Sequence, residues 1–378
     1  MSLKKIYFDN AATTPIALEV IETMTNVMKE SFGNPSSQHS FGRSSKSILE
    51  SARKKIAAHL EVSPSEIYFT SGGTEADNTA IICACESLGI KNIISSKIEH
   101  HAVLHTVEML EKNGVAKVSY VNVNEKGYVD LLDLERLLSE KKEKTLVSLM
   151  HGNNEIGTLL NLKKVGELCE KYDAIFHSDT VQTVGHYDLK PKQVKLQMMV
   201  ASAHKFHGPK GVGFLYVDNK IKLSPYIHGG SQEKNKRGGT ENLYGIAGMS
   251  KALDLALENL EEHQTQIKAL RSKMIALLKS NFEDVSFNSD IENDSLYTVL
   301  NVAFPNNEKT GMLLFSLDIK GIAVSGGSAC TSGAATGSHV IRGINANANQ
   351  IPVRFSFSRM NTAEEIGQTI EVLKEILV

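Results

Sequence analysis

Short apolar runs alternate with amphipathic stretches of helical period through the middle of this chain. No other feature limits its possible folds as strongly. Ile67-Tyr68-Phe69-Thr70 precedes a helical pattern from Glu75 to about Ser87, and Ile93-Ile94-Ser95 precedes another from His101 to Lys112. Lys117 to Val121 leads to a helix with Asp130 at its N-cap. Leu146 to Met150 leads to a helix near Lys163 to Tyr172, and Ile175 to Ser178, Met198 to Ser202 and Gly211 to Val217 read as further strands. This order predicts an α/β fold, a mainly parallel sheet with helices on both faces.

The pattern changes near Leu243. Ile246, Met249, Leu253, Leu257, Leu260, Ile267, Leu270, Met274 and Leu277 recur at spacings of mostly three and four, which predicts one long amphipathic helix linking two domains. A strand (Thr298 to Phe304), a helix (Lys309 to Lys320) and a strand (Val353 to Ser358) follow. The last helix opens with Thr362 and Glu365 in capping-box spacing and carries Ile366, Ile370, Leu373 and Leu377 on one stripe. The expected division is a large domain at 15–245 and a small α+β domain made of 1–14 and 246–378.

A chain of 378 residues buries a sizeable core, and a net charge of -2 gives no electrostatic reason to expect nucleic acid or a membrane surface as partner. No apolar run approaches the roughly 20 residues of a membrane-spanning helix. Met1 to Asn10 lacks the basic start and apolar stretch of a secretory signal, so a cytoplasmic location is expected. Four cysteines in so long a chain build no disulfide framework. Cys83, Cys85 and Cys169 read as small buried hydrophobes, and no metal is expected.

Five segments carry candidate chemistry. In Ser202-Ala203-His204-Lys205, a strand ends in a small-residue turn that presents a lysine. A crowded, partly desolvated lysine can lose its proton and condense with an aldehyde such as that of pyridoxal phosphate (PLP). In Thr70-Ser71-Gly72-Gly73-Thr74, a strand runs through two glycines into a helix, a pattern that cradles phosphate or simply caps a helix. Neither GxGxxG nor a Walker A loop is present. Asp179 follows an apolar strand, where a carboxylate can keep a pyridinium nitrogen protonated or cap a helix. Gln182 lies three residues on, within reach of a ring oxygen. His100 sits where an imidazole can stack on a cofactor ring and shuttle protons, or be a buried, hydrogen-bonded histidine. His101 and His105 lack the intervening glutamate of HExxH, so zinc is disfavoured. Finally, Cys330 lies in Val324-Ser325-Gly326-Gly327-Ser328-Ala329-Cys330-Thr331-Ser332-Gly333, a run of small residues in which a thiol is not filling a core. Such a thiol is suited to attack a sulfur atom and carry it away.

Taken in order, these segments resemble the cysteine desulfurases of the class V aminotransferase superfamily. The resemblance runs from Tyr7-Phe8-Asp9-Asn10-Ala11-Ala12 to Arg354-Phe355-Ser356-Phe357-Ser358-Arg359. It takes in Phe32-Gly33-Asn34-Pro35, Asn153-Asn154-Glu155-Ile156-Gly157 and Arg237-Gly238-Gly239-Thr240-Glu241-Asn242. It implies PLP fold type I, with a mainly parallel, mixed seven-stranded sheet in the large domain. It implies that Lys205 holds PLP, that Asp179 pairs with the ring nitrogen, that Gln182 contacts the ring hydroxyl and that His100 stacks on the ring. Gly73, Thr74, Ser202 and His204 are implied at the phosphate, which Thr240 reaches from a partner subunit. Asn34, Asn154 and Arg354 are implied at the substrate carboxylate, a task that suits a guanidinium fork. Cys330 would receive the sulfur of L-cysteine as a persulfide, leaving alanine, in a homodimer. From there the sulfur would pass to an acceptor or scaffold protein, for iron-sulfur cluster assembly or for thiolation of a cofactor or tRNA. The segment between Cys330 and Arg354 is a few residues shorter than in housekeeping members of the same group. A simple aminotransferase needs no such thiol, and a catalytically silent partner would lack Lys205.

Overall fold

The computed structural model describes residues 5–327 and 337–377. The N-terminal strand β1 (Ile6–Tyr7) belongs to the C-terminal part of the molecule and is taken up below. The main sheet is built from β2 (Ile67–Thr70), β3 (Asn92–Ser95), β4 (Lys117–Tyr120), β5 (Thr145–Ser148), β6 (Ile175–Asp179), β7 (Met198–Ser202) and β8 (Gly213–Val217). Its order is β2-β8-β7-β6-β5-β3-β4. β8 runs antiparallel to both neighbours, and the other pairs are parallel. This is the mixed, mostly parallel seven-stranded sheet that the alternating pattern and the resemblance predict.

β3, β5 and β7 are buried along their whole length and β6 along all but its first residue, as expected for strands covered on both faces. One face packs Phe176, Val147, Met199, Phe214 and Tyr216 with the helix Ser40–His59 and the helix Leu243–Glu258. The other face packs Ile93, Leu146, Met198 and Val200 with the helices Gly73–Leu88 and His101–Lys112. Cys83 and Cys85 belong to the second cluster and Cys169 to the first, all three buried as the sequence suggests.

A second sheet pairs β12 (Gln350–Ser356) and β9 (Ser286–Phe287) on either side of β10 (Val299–Pro305), while β1 pairs in parallel with β11 (Ile322–Ala323). Phe8 packs edge-on against Phe355 and Phe357, so the N-terminal residues join this part of the molecule. The final helix, Ala363–Leu377, opens on the expected capping box: the Thr362 amide donates to Glu365 Oε2 at 3.1 Å, and the Glu365 amide donates to Thr362 Oγ1 at 3.3 Å.

The single long linking helix is corrected. The chain forms two helices, Leu243–Glu258 and Leu260–Asn281, which meet at Asn259 with φ −117° and ψ 27°. The Asn259 side chain bonds back to the Leu255 carbonyl at 3.3 Å, and this local alternative to the helical ladder breaks the run that apolar spacing alone suggests. The helix expected at Lys309 to Lys320 begins as a short 3-10 turn, Thr310–Met312, and becomes α-helical over Leu313–Ile319.

One buried ion pair ties the helix Ser40–His59 to the edge of the main sheet. Arg53 donates to both oxygens of Glu233 at 2.8 Å and to the Ile67 carbonyl at 2.8 Å, while Glu233 also accepts from the Phe69 amide at 2.9 Å. Replacing Arg53 with alanine leaves the Glu233 carboxylate buried without its counter-charge. The expected cost is about 3–5 kcal/mol, read as a lower urea midpoint at unchanged slope. An unchanged midpoint would mean that Glu233 is compensated another way.

Candidate active site

The carboxyl ends of the parallel strands converge on one cleft of about 250 Å³. Its lining includes Gly73, Thr74, His100, Asn154, Asp179, Gln182, Ser202, His204, Lys205 and Arg354. These residues come from segments as far apart as 73 and 354. They meet because ligand sites in open α/β sheets form beyond the carboxyl ends of the strands.

β7 ends at Ser202 and passes into a 3-10 turn, Ala203–Lys205. That turn delivers the Lys205 side chain to the cleft, where Nζ donates to the carbonyls of Ala11 and Ala12 at 2.5 and 2.9 Å. Asp179 is the last residue of β6. Its Oδ1 accepts from the Val181 amide at 2.9 Å, which fixes the carboxylate plane and leaves the second oxygen for another partner. Gln182 is fixed by its Nε2, which donates to the Ala11 carbonyl at 3.0 Å.

His100 caps the helix His101–Lys112: its Nδ1 accepts from the Ala102 amide at 3.1 Å. A ring whose Nδ1 accepts carries its proton on Nε2. Burial lowers the basicity of His100, the Lys205 and His339 charges add to that, and only the Asp179 carboxylate opposes it. His204 is likewise pushed down to about 4 by burial and by the nearby Lys205 and Lys210 charges.

The helix Gly73–Leu88 enters at the cleft with Gly72 at φ +152°, and no side chain caps its first turn. A Cβ at Gly73 would lie 2.8 Å from Val181 Cγ2, so this close approach requires glycine. The uncapped amides, the Thr74 and Ser202 hydroxyls and the His204 imidazole together offer donors suited to a phosphate. At the opposite end, Arg354 is 1 % exposed. It donates from Nη2 to Asp9 Oδ1 at 2.7 Å and from Nη1 to the Asn154 carbonyl at 3.0 Å, and its buried Nε has no protein acceptor. A buried guanidinium with an unused donor fits a bound carboxylate. The residues present therefore fit PLP, with phosphate donors at one end, a carboxylate for a ring nitrogen and a lysine amine between.

Two sequence-selected residues, Asn34 and Thr240, do not line this cleft. Asn34 is exposed, and its side chain is used within its own loop, accepting from the Ser36 amide at 2.9 Å. Thr240 lies in a separate crevice with Gly239, Glu241 and Asn242. Cys330 lies outside the described residues. Conversely, Asp77, Met150 and Val181 line the cleft and were not singled out from the sequence. Asp77 was legible only as part of a helix, four residues after Gly73. Among the described residues no group of three or more His, Cys, Asp or Glu side chains is placed to hold a metal ion, and no helix is long and apolar enough to cross a membrane.

Asp77 and Glu99 are buried acids close to Asp179. Burial holds Asp77 well above the usual carboxylate range, with the Asp179 and Glu99 charges adding to it. Burial likewise pushes Glu99 up to about 8 from 4.5, the Asp179 charge adding, against the Ser96 and Met150 donors. A carboxyl whose folded value is raised favours the native state most below its unfolded value, and that contribution is lost as pH rises through the folded value. The stability of the protein relative to its Glu99→Gln variant is therefore expected to fall between pH 4.5 and about 8 and to level off above. Paired urea titrations across this range check it; a pH-independent difference would mean that Glu99 is ionised throughout.

Comparison with known proteins points the same way. The Aminotransferase class-V family model matches residues 6–368. Cysteine desulfurase IscS of Dictyoglomus turgidum is 42% identical over 99% of this chain and 95% of its own length. The putative cysteine desulfurase IscS 1 of Bacillus subtilis is 41% identical over 99% of each. Among solved structures, a NifS-like protein superposes with a TM-score of 0.92 at 36% identity, covering 99% of both chains. SspA in complex with cysteine superposes with a TM-score of 0.81 at 30% identity, over 95% of this chain and 100% of that one.

Proposed function

The chain belongs to the aminotransferase class-V family and is a PLP-dependent cysteine desulfurase within it, and we propose that Lys205 bears the cofactor while Cys330 takes the sulfur from L-cysteine. The observation that carries the reading of the cleft is the convergence of Lys205, Asp179 and His100 between an uncapped helix N-terminus and the buried Arg354 guanidinium.

PLP, when bound, supplies an electron sink that stabilises negative charge at the substrate α-carbon. The chain's own residues do the rest. Arg354, joined by Asn154, binds the α-carboxylate of cysteine and aims the Cα–H bond. Asp179, with one oxygen held by the Val181 amide, keeps its other oxygen for the proton of the ring nitrogen. Thr74, Ser202 and His204 hold the phosphate. Lys205 Nζ takes the α-proton and later returns one to the three-carbon product. His100, neutral with its proton on Nε2, stacks on the ring and moves a proton at the substrate sulfur. The Cys330 thiolate then attacks that sulfur, so that an S–S bond forms as the Cβ–S bond breaks. Alanine leaves, and the persulfide passes to an acceptor protein that serves iron-sulfur cluster assembly or a thiolation reaction.

A homodimer is part of the proposal. Leu18, Phe32 and Phe41 are 74%, 69% and 55% exposed, an apolar surface suited to a second copy. Thr240, apart from its own chain's cleft, then serves the phosphate of the partner subunit. The proposed division into a large domain at 15–245 and a small one at 1–14 and 246–378 draws on the separate apolar clusters around Phe176 and Phe355, although the helix Leu243–Glu258 packs in the first of these clusters, on the large-domain side. A cytoplasmic location belongs to the same reading.

The test is incubation of purified protein with L-cysteine and a thiol reductant, with alanine, sulfide and the visible cofactor band followed together. Equal alanine and sulfide with a band that shifts on adding cysteine is the expected result. A band without alanine would redirect the reading to another amino acid, and no band after adding PLP would overturn it.

A further inference from the structure

The turn that carries Lys205 is held carbonyl by carbonyl. The Ala203 carbonyl accepts from the Phe206 and Gly208 amides at 3.1 and 2.9 Å, and the His204 carbonyl accepts from the Thr14 amide and hydroxyl, both at 2.9 Å. The carbonyl of Lys205 itself is met by a side chain: His186 Nε2 lies 3.2 Å from it. A carbonyl only accepts, so this His186 nitrogen carries the proton and the ring is a neutral donor. Burial pushes His186 down to about 4, the His263 and Arg359 charges adding, which agrees with a neutral ring.

His186 is in turn gripped from the C-terminal part of the chain. Its backbone carbonyl accepts from Gln264 Nε2 at 2.8 Å and from the Tyr297 hydroxyl at 3.0 Å, and the same hydroxyl lies 3.3 Å from Nδ1. Gln264 belongs to the helix Leu260–Asn281, and Tyr297 directly precedes the segment leading into β10. The approach depends on Gly185, at φ +79°, where a Cβ would lie 2.7 Å from Phe206 Cβ. Glycine at 185 thus lets the His186 turn close against the Lys205 turn.

We propose that His186 is the positioning residue of Lys205: its Nε2–H fixes the Lys205 carbonyl and, through Gln264 and Tyr297, ties the lysine-bearing turn to the C-terminal part of the chain. The inference rests on the reading of Lys205 as the cofactor-bearing lysine. It acts on the chemical step, because Lys205 must place Nζ against the α-proton. The Arg354 guanidinium is held by Asp9 and the Asn154 carbonyl instead, so binding of the substrate carboxylate is expected to change little.

The test compares three holoenzymes. His186→Leu removes the donor. His186→Asn is polar but one methylene too short. His186→Gln offers an amide N–H at nearly the reach of Nε2. With L-cysteine and reductant, His186→Leu and His186→Asn are expected to lose about 10- to 100-fold in kcat, the scale of a misplaced reacting group, with KM within about twofold. His186→Gln is expected to stay within about threefold of the parent. The pH titration of the visible cofactor band should shift in the first two variants and not in the third. If His186→Leu does not yield holoenzyme, the Asn and Gln variants carry the comparison alone. Equal kcat in Asn and Gln variants, or a kcat fall with an unmoved band, would overturn the proposal. Borohydride reduction and peptide mapping of the parent separate the two readings. Cofactor on a different lysine would overturn the Lys205 assignment and this inference together, whereas cofactor on Lys205 with a normal His186→Asn enzyme would overturn this inference alone.

Discussion

Replacing Lys205 with alanine is expected to abolish alanine formation from L-cysteine, a loss of roughly four orders of magnitude or more. The size follows from the two tasks that fall on one amine. On the proposed reading, Lys205 anchors the cofactor covalently and, once displaced by substrate, is the base at the α-carbon. No neighbour takes over either task. Lys210 follows five residues later but is exposed and does not line the cleft. His100 lines it, but its Nδ1 is committed to capping a helix. The variant is expected to bind PLP through Asp179 and the phosphate donors alone, with a visible spectrum unlike that of the parent. Amino-acid analysis of a cysteine incubation, alongside that spectrum, checks both points. Turnover within about tenfold of the parent would exclude Lys205 as the base.

Cys330→Ala is expected to keep the cofactor and the spectral response to cysteine but to lose the protein persulfide, with alanine formation down roughly 100-fold or more. The other thiols offer no substitute. Cys83, Cys85 and Cys169 are all buried. Burial pushes Cys83 up to about 12 and Cys85 up to about 11, and raises Cys169 further still. The attacking species is the thiolate, and those three are protonated throughout the working range. Normal desulfuration by the variant would show that the sulfur leaves by another route.

Much of the cleft was legible in the sequence, because each parallel strand deposits its next few residues at the same edge of the sheet. Once Ile175 to Ser178 and Met198 to Ser202 are read as strands, Asp179 and Lys205 must lie near each other. The Thr362–Glu365 box is local, so residue order alone carries it. What the sequence hid is of two kinds. The break at Asn259 depends on one amide turning back on the Leu255 carbonyl, which apolar spacing does not register. Asp77 and His186 act through contacts made across the fold. Asp77 sits in a helix, and the acids near it come from elsewhere in the chain, Glu99 from the turn after β3 and Asp179 from the end of β6. His186 looks like a loop histidine until the Lys205 carbonyl is seen beside it. Asn34 is the opposite case: its segment carried the resemblance, yet in the single chain its side chain serves its own loop.

The most direct test of the account is peptide mass mapping of the holoenzyme after brief exposure to L-cysteine without reductant. The account predicts the mass of one added sulfur atom on the peptide that contains Cys330, and on no peptide containing Cys83, Cys85 or Cys169, in step with the alanine released. Alanine accumulating with Cys330 unmodified, or sulfur found on one of the three buried thiols, would contradict it.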